Sequence, residues 1–208
     1  MSSSSTASNA LGPSSSSKLL HNAAEFLIRR RILLSAILFA SLIAYDVAFG
    51  PKPHDMINVH DPLGVIGALL VIGGLGLRAW SAGILHKDAE LTMVGPYALI
   101  RNPLYAGSFL MMLGFCALIG NPLNIVLILV PILLIYAVKV RHEERLLASR
   151  FSEQWAIYSK STPRFIPALR RVDLTAPWQM RQWLKHREYQ ALIATVAALV
   201  AIEFWHLM

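Results

Sequence analysis

The chain has 208 residues, of which 55% are hydrophobic and only 15% charged, with a formal net charge of +7. Soluble domains carry about a quarter charged residues, so this composition excludes an ordinary soluble enzyme and points to an integral membrane protein. The excess of Lys and Arg is read as topology signal and attraction to anionic lipid rather than nucleic-acid binding.

The first 17 residues, MSSSSTASNALGPSSSS, are Ser-rich without an apolar period, which predicts a disordered tail and no cleavable signal peptide. Residues 18–208 are expected to form one membrane domain. Five apolar runs come next, each near the roughly 20 residues a bilayer core requires. They are Ile32–Phe49, Pro62–Leu85, Pro103–Ile119, Pro122–Val138 and Tyr189–Met208. The predicted fold class is therefore all-α integral membrane, with about five transmembrane helices. Lys18, Arg29, Arg30 and Arg31 precede the first run, Lys87 and Arg101 lie between the second and third, and ten Lys and Arg fall in 141–189. The positive-inside rule places the N-terminus, loop 86–102 and segment 141–189 in the cytosol.

Asn or Asp followed by Pro and Leu opens three of the runs, at Asp61-Pro62, Asn102-Pro103 and Asn121-Pro122. These are N-caps followed by Pro at the first helical position, which accounts for all three as helix starts. The copy at 101 has more: GPYALI before it, Arg101 beside it, Tyr105 in the first turn and Gly107 thereafter. Within GGLGLRAWSAG (73–83) the glycines predict close helix packing inside a span. Arg78 in that span either snorkels or lines a cavity. Asp46 and Glu203 are expected to reach water near the outer ends of their spans. His54, Asp55, His60 and Asp61 are expected to form a solvated outer loop, with no metal site.

The segment VKVRHEERLLASRFSEQWAIYSKSTPRFIP (138–167) carries Leu147, Phe151, Trp155 and Tyr158 at helical spacing. Glu143 falls on the same stripe and Glu144 beside it. A carboxylate there needs a cationic partner, and Arg101 or an amine-bearing ligand both qualify; pairing with nearby Arg as a structural network is the alternative. Beyond it, 168–188 is basic and amphipathic, suited to the membrane surface or to walling a substrate entrance. Trp178, Trp183 and Trp205 suit interfacial anchoring.

GPYALIRNPLYAGSF followed by HEERLLASRFSEQWAIYSKSTPRFIP resembles the isoprenylcysteine carboxyl methyltransferase family, itself related to phospholipid N-methyltransferases. The family pattern is roughly G-x-Y-x-x-x-R-H-P-x-Y-x-G, then E-E-x-x-L-x-x-x-F-G-x-x-Y-x-x-Y, and the match covers about 86–167. The resemblance implies a cytosolic S-adenosylmethionine site between the fourth and fifth spans. It implies His86, Leu91, Gly95, Tyr97, Arg101, Asn102, Pro103, Tyr105, Glu143 and Glu144 as cofactor-binding, with Arg101 and Glu144 nearest the chemistry and no metal. Asn102 stands where the family has His, Ser152 where it has Gly, and Trp155 where it has the first Tyr. Asn holds no proton at neutral pH, so a His-dependent step there is in doubt. A carboxylate acceptor needs no base, whereas an amine acceptor does. With His142 and His86 as the remaining candidates, the balance tips to a carboxyl acceptor. The expected reaction is methyl transfer to a lipophilic acceptor from the bilayer, with a lipid-amine N-methyltransferase and a non-catalytic scaffold as rivals.

Overall fold

In the computed structural model, residues 41–86, 90–167 and 174–208 are described. The Ser-rich tail and residues 32–40 of the first predicted span lie outside them. The chain divides into two units, Met1–Tyr45 and Asp46–Met208, and the second holds the packed helices. Every regular element among the described residues is helical. Helix α1 is seen over 41–49. It is followed by α2 (Pro62–Ile84), α3 (Pro96–Leu99), α4 (Pro103–Ile119), α5 (Pro122–Asn124), a π-helical turn (Ile125–Leu129), α6 (Val130–Arg150), α7 (Ser152–Ser161), α8 (Met180–Lys185) and α9 (Glu188–Leu207).

Three described helices are long and apolar enough to cross a membrane: Pro62–Ile84, Pro122–Arg150 and Glu188–Leu207. A shorter apolar helix, Pro103–Ile119, accompanies them. The protein is thus a helical membrane protein. The fourth predicted span runs on without a break to Arg150, so Glu143 and Glu144 stand on the same rod as Leu133. The π turn precedes Pro131, which has no N–H for the carbonyl four residues back and crowds it sterically, so the helix opens there.

Helices α2 and α4 form the closest packed pair. Gly67 and Gly74 of α2 face Gly114 and Gly107 of α4. A Cβ on Gly74 would lie 2.5 Å from the Gly107 carbonyl oxygen, and one on Gly114 the same distance from that of Gly67. Within 73–83, then, Gly74 makes this crossing and Gly83 seats the Trp178 indole, while Gly73 and Gly76 face open space. Trp178 donates from Nε1 to the Ala79 carbonyl at 3.0 Å, so it is a packing residue of α2 as well as a surface aromatic. Val71, Leu118, Ile119 and Ile202 form the core where α2, α4 and α9 meet.

The three Asn/Asp-Pro-Leu copies do not behave alike. Asp61 caps α2 by accepting from Gly64 N–H, and Asn121 caps α5 by accepting from Leu123 N–H. Asn102 makes no side-chain cap bond. Its backbone (φ −128°, ψ 59°) aims the side chain away, and Nδ2 donates instead to Glu144 Oε1 at 3.3 Å. The expectation of three equivalent caps is corrected on this point.

Asp46 does not reach water: it is 1% exposed and accepts from the side-chain amides of Asn121 and Asn124. A buried carboxylate is stable only with such donors. Glu203 is half-buried, with Oε2 covered and without a hydrogen-bond partner among the described residues. The loop over 50–61 is held more tightly than a solvated loop: His54 pairs with Asp61 at 2.9 Å, and the His206 ring lies 2.8 Å from the Pro53 carbonyl. Asn121→Ala will therefore cost more than the about 1 kcal/mol of a cap. It also strips a donor from buried Asp46, a loss of about 1–3 kcal/mol. Asn102→Ala, with no cap bond to lose, will shift thermal unfolding in detergent less than Asn121→Ala.

Candidate active site

At the end of the bundle opposite Asp46 lies a cavity of about 550 Å³, within the usual range for small-molecule sites. The C-terminal end of α2, the start of α4, the middle of α6, the α6–α7 junction and the start of α9 contribute to its wall. Of the residues expected from sequence, Leu91, Tyr97, Arg101, Asn102, Pro103, Tyr105 and Glu143 line it. His86, Gly95 and Glu144 do not.

Gly95 has φ +60°, and a Cβ there would meet Ile84 Cδ1 at 2.9 Å. Only glycine turns the chain here without strain, and the turn opens α3, which carries Tyr97. Tyr97 is buried, and its carbonyl accepts from Tyr158 OH at 2.7 Å. Burial pushes both phenols well above the usual tyrosine range, so both stay protonated donors. The Tyr97 hydroxyl is buried without a hydrogen-bond partner among the described residues.

Arg101 is fixed from three sides. Its backbone N–H donates to the Pro163 carbonyl at 2.8 Å. Its guanidinium stands 5.7 Å from the Trp155 ring centroid, a cation–π arrangement. Nη1 lies 3.3 Å from Glu144 Oε1. The Arg101 Nε is buried without a partner among the described residues.

Glu144 is buried beneath this arrangement. Arg101 and Asn102 meet Oε1, and Arg164 reaches Oε2 at 2.9 Å. Its carboxylate therefore orders Arg101, Asn102 and Arg164 rather than facing the cavity. Glu143, its neighbour, does face the cavity and accepts from Tyr105 OH at 2.9 Å. The Tyr105 ring meets Tyr136 edge-on at 5.0 Å, with Lys139 Nζ 5.6 Å from its centroid.

The predicted stripe is real but bent. The chain leaves helical geometry at Phe151 (φ −123°, ψ 37°), and α7 folds Trp155 and Tyr158 against Leu91. His86 sits off the cavity, 3.4 Å from Glu90, and His142 is exposed on α6.

Sequence reasoning offered segment 168–188 as a possible entrance wall but singled out neither His186 nor Glu188 in it, and both line the cavity. Arg78, placed as either snorkelling or cavity-lining, lines the cavity. Glu188, 6% exposed, takes its guanidinium bidentately, with Nη2–Oε1 2.7 Å and Nε–Oε2 3.1 Å. Nη1 bonds the Ser108 hydroxyl. The signal was Arg78, a charge inside a span that in lipid requires a partner, and Glu188, an acid directly before the fifth apolar run. His186 completes this wall.

The residues fit an S-adenosylmethionine-sized ligand. Glu143 and Arg101 offer opposite charges for an amino-acid zwitterion. Tyr97, Tyr105 and Tyr158 offer aromatic faces for adenine or a sulfonium. The unpartnered Tyr97 hydroxyl is a buried donor awaiting an acceptor.

A family model described as phospholipid methyltransferase matches residues 63–154. The cobalt-zinc-cadmium resistance protein CzcN of Cupriavidus metallidurans is 31% identical over 165 residues, covering 77% of this chain and 74% of that protein. The nickel-cobalt-cadmium resistance protein NccN of Alcaligenes xylosoxydans xylosoxydans is 32% identical over 117 residues, 52% of this chain and 54% of that protein. Protein-S-isoprenylcysteine O-methyltransferase of Schizosaccharomyces pombe is 32% identical over 84 residues, 40% of this chain and 36% of the enzyme. No solved structure matches the chain. The family match ends at residue 154, so α8 and α9, with Arg78's partner Glu188, lie outside it. Both motif halves meet at one cavity in a helical membrane protein, and the chain belongs to the integral-membrane methyltransferase family of the isoprenylcysteine carboxyl methyltransferases and phospholipid methyltransferases.

Proposed function

We propose that the protein transfers a methyl group from S-adenosylmethionine to a lipophilic acceptor that enters from the bilayer, at a site on the cytosolic face. The observation that carries this reading is the gathering of Tyr97, Arg101, Tyr105 and Glu143, from two motifs about 40 residues apart, around one cavity with an unsatisfied buried hydroxyl.

When bound, the cofactor supplies a methyl already activated on a sulfonium. The protein's part is then to hold two partners in line and keep water out. Arg101 binds an anionic group at the cavity wall. Glu144 positions Arg101 together with Trp155 and Pro163. Glu143 and the Tyr105 ring take a cationic group, with Tyr105 OH fixing the Glu143 carboxylate. Leu146, Leu147 and Phe151 supply apolar wall for a lipid chain.

Two acceptor types suit a lipophilic substrate: a prenylcysteine carboxyl, as in the fission-yeast relative, and a lipid amine, as the family description suggests. The metal-resistance names of two relatives fit the same chemistry if a membrane component is what is methylated.

Calorimetric titration of the purified protein with S-adenosylhomocysteine tests the reading. Saturable one-to-one binding is expected, followed by label transfer from S-adenosylmethionine to either a prenylcysteine mimic or phospholipid. No binding by a folded sample would leave a non-catalytic scaffold as the better account.

A further inference from the structure

We infer that His186 is the proton acceptor of this site and that the methyl acceptor is an amine carried on a lipid. The inference rests on the methyl-transfer reading above. His186 lies in the turn between α8 and α9. Arg187 adopts the left-handed conformation there (φ 57°), which reverses the chain and sets the residues on either side of it, His186 and Glu188, at the same cavity.

His186 Nε2 is 3.1 Å from the Leu85 carbonyl oxygen. A carbonyl only accepts, so Nε2 carries the hydrogen. In the neutral ring this leaves the lone pair on Nδ1. Such a backbone contact fixes both tautomer and ring orientation, as an imidazole base requires.

The other candidates for the proton are occupied or elsewhere. Both Glu188 oxygens are taken by Arg78. Glu143 accepts from Tyr105 at one oxygen and, in the reading above, is committed to the cofactor's cationic group. Glu90 is largely exposed beside His86. His86 and His142 do not line the cavity, and Asn102 cannot hold a proton. Among the described lining residues, His186 is the one imidazole. Arg78, Glu90, Arg101, Lys139, Glu143, Arg150 and Glu188 are the charged groups that share its cavity.

An amine headgroup arrives at neutral pH as an ammonium, with no lone pair to donate. One N–H proton passes to His186 Nδ1 and the ring becomes imidazolium. The N–H bonding pair stays on the nitrogen and forms the new bond to the methyl carbon as the S–CH3 bond breaks; that bond's pair stays on sulfur, which leaves as the neutral thioether of S-adenosylhomocysteine. The methylated nitrogen leaves as an alkylammonium, its charge being the one delivered with the methyl group. The imidazolium then returns its proton to water. A carboxylate already has free pairs and gives a base nothing to do. A positioned base in the wall therefore reverses the sequence-based preference for a carboxyl acceptor, which rested on seeing no base.

The test is His186→Gln, which keeps an amide N–H for Leu85 but holds no proton. S-adenosylhomocysteine should bind the variant within about twofold of wild type, establishing an intact cofactor site. Methylation of phosphatidylethanolamine in nanodiscs should fall about 100-fold or more at neutral pH. It should recover by about tenfold per pH unit as solvent deprotonates the amine; a merely structural role would not produce that recovery.

A second measurement uses wild-type protein without cofactor. Dodecylamine should slow carbethoxylation of His186 by diethyl pyrocarbonate, read by peptide mass spectrometry, and dodecanoate should not. Full phosphatidylethanolamine turnover by His186→Gln would overturn the assignment, as would equal protection by dodecanoate. Absence of S-adenosylhomocysteine binding in wild type would instead bring down the methyl-transfer reading beneath it.

Discussion

Arg101→Ala will lose S-adenosylhomocysteine affinity by about 10- to 150-fold while the protein remains folded. The range comes from about 1.5–3 kcal/mol for a hydrogen bond to a charged group, at 1.4 kcal/mol per decade. Arg101 presents a buried, unpartnered Nε beside a cavity and is held rigid by Glu144, Trp155 and Pro163. A rigid guanidinium recognises a carboxylate at little entropic cost, and Lys lacks its planar fork. Arg101→Lys will therefore restore less than a tenth of the affinity. The fold survives because Arg164 and Asn102 still meet the Glu144 carboxylate. Glu144→Gln acts through Arg101 and will cost less than Arg101→Ala, since a neutral amide still accepts one guanidinium bond. Titration calorimetry on the three variants decides the matter. Affinity within twofold of wild type in Arg101→Ala would remove the residue from the cofactor site.

Breaking the Arg78–Glu188 pair carries the largest expected stability cost. The pair is bidentate, with Glu188 6% exposed at the start of α9 and Arg78 engaged also by Ser108. Removing one partner of a buried ion pair leaves an uncompensated charge and costs about 3–5 kcal/mol. Arg78→Met will destabilise by about that amount, measured by detergent unfolding. Adding Glu188→Met will recover a large part, because two apolar side chains leave no orphan charge. The coupling in this double-mutant cycle separates the pair from two independent packing losses, which would add. The same cycle reports on function: α9 brings His186 and Glu188 to the cavity, so loosening its start will also reduce lipid-amine turnover.

Much of this protein was determined by sequence alone. Charge scarcity and long apolar runs set the class, because a lipid interior tolerates neither unpaired charge nor open backbone. The family resemblance implied Tyr97, Arg101, Tyr105 and Glu143 as members of one site, each within a few residues of a helix start or on one helix face. What sequence could not assign was which partner each polar group takes. Asn102, Asp61 and Asn121 share one local pattern, yet Asn102 abandons its cap for Glu144, a residue 42 positions away. Glu143 and Glu144 are adjacent, yet a helical step of about 100° sends one to the cavity and the other into a buried ion cluster. Asp46 looked like a surface acid until Asn121 and Asn124 closed over it. Arg78 and Glu188, 110 residues apart, are a pair only because α2 and α9 pack together. Composition and local pattern determined the membrane class and the helix starts, which depend on near neighbours in sequence. Tertiary structure decided which charges are neutralised, which donors are left open and which side chains share the cavity wall, because those depend on groups that only the packed helices bring together.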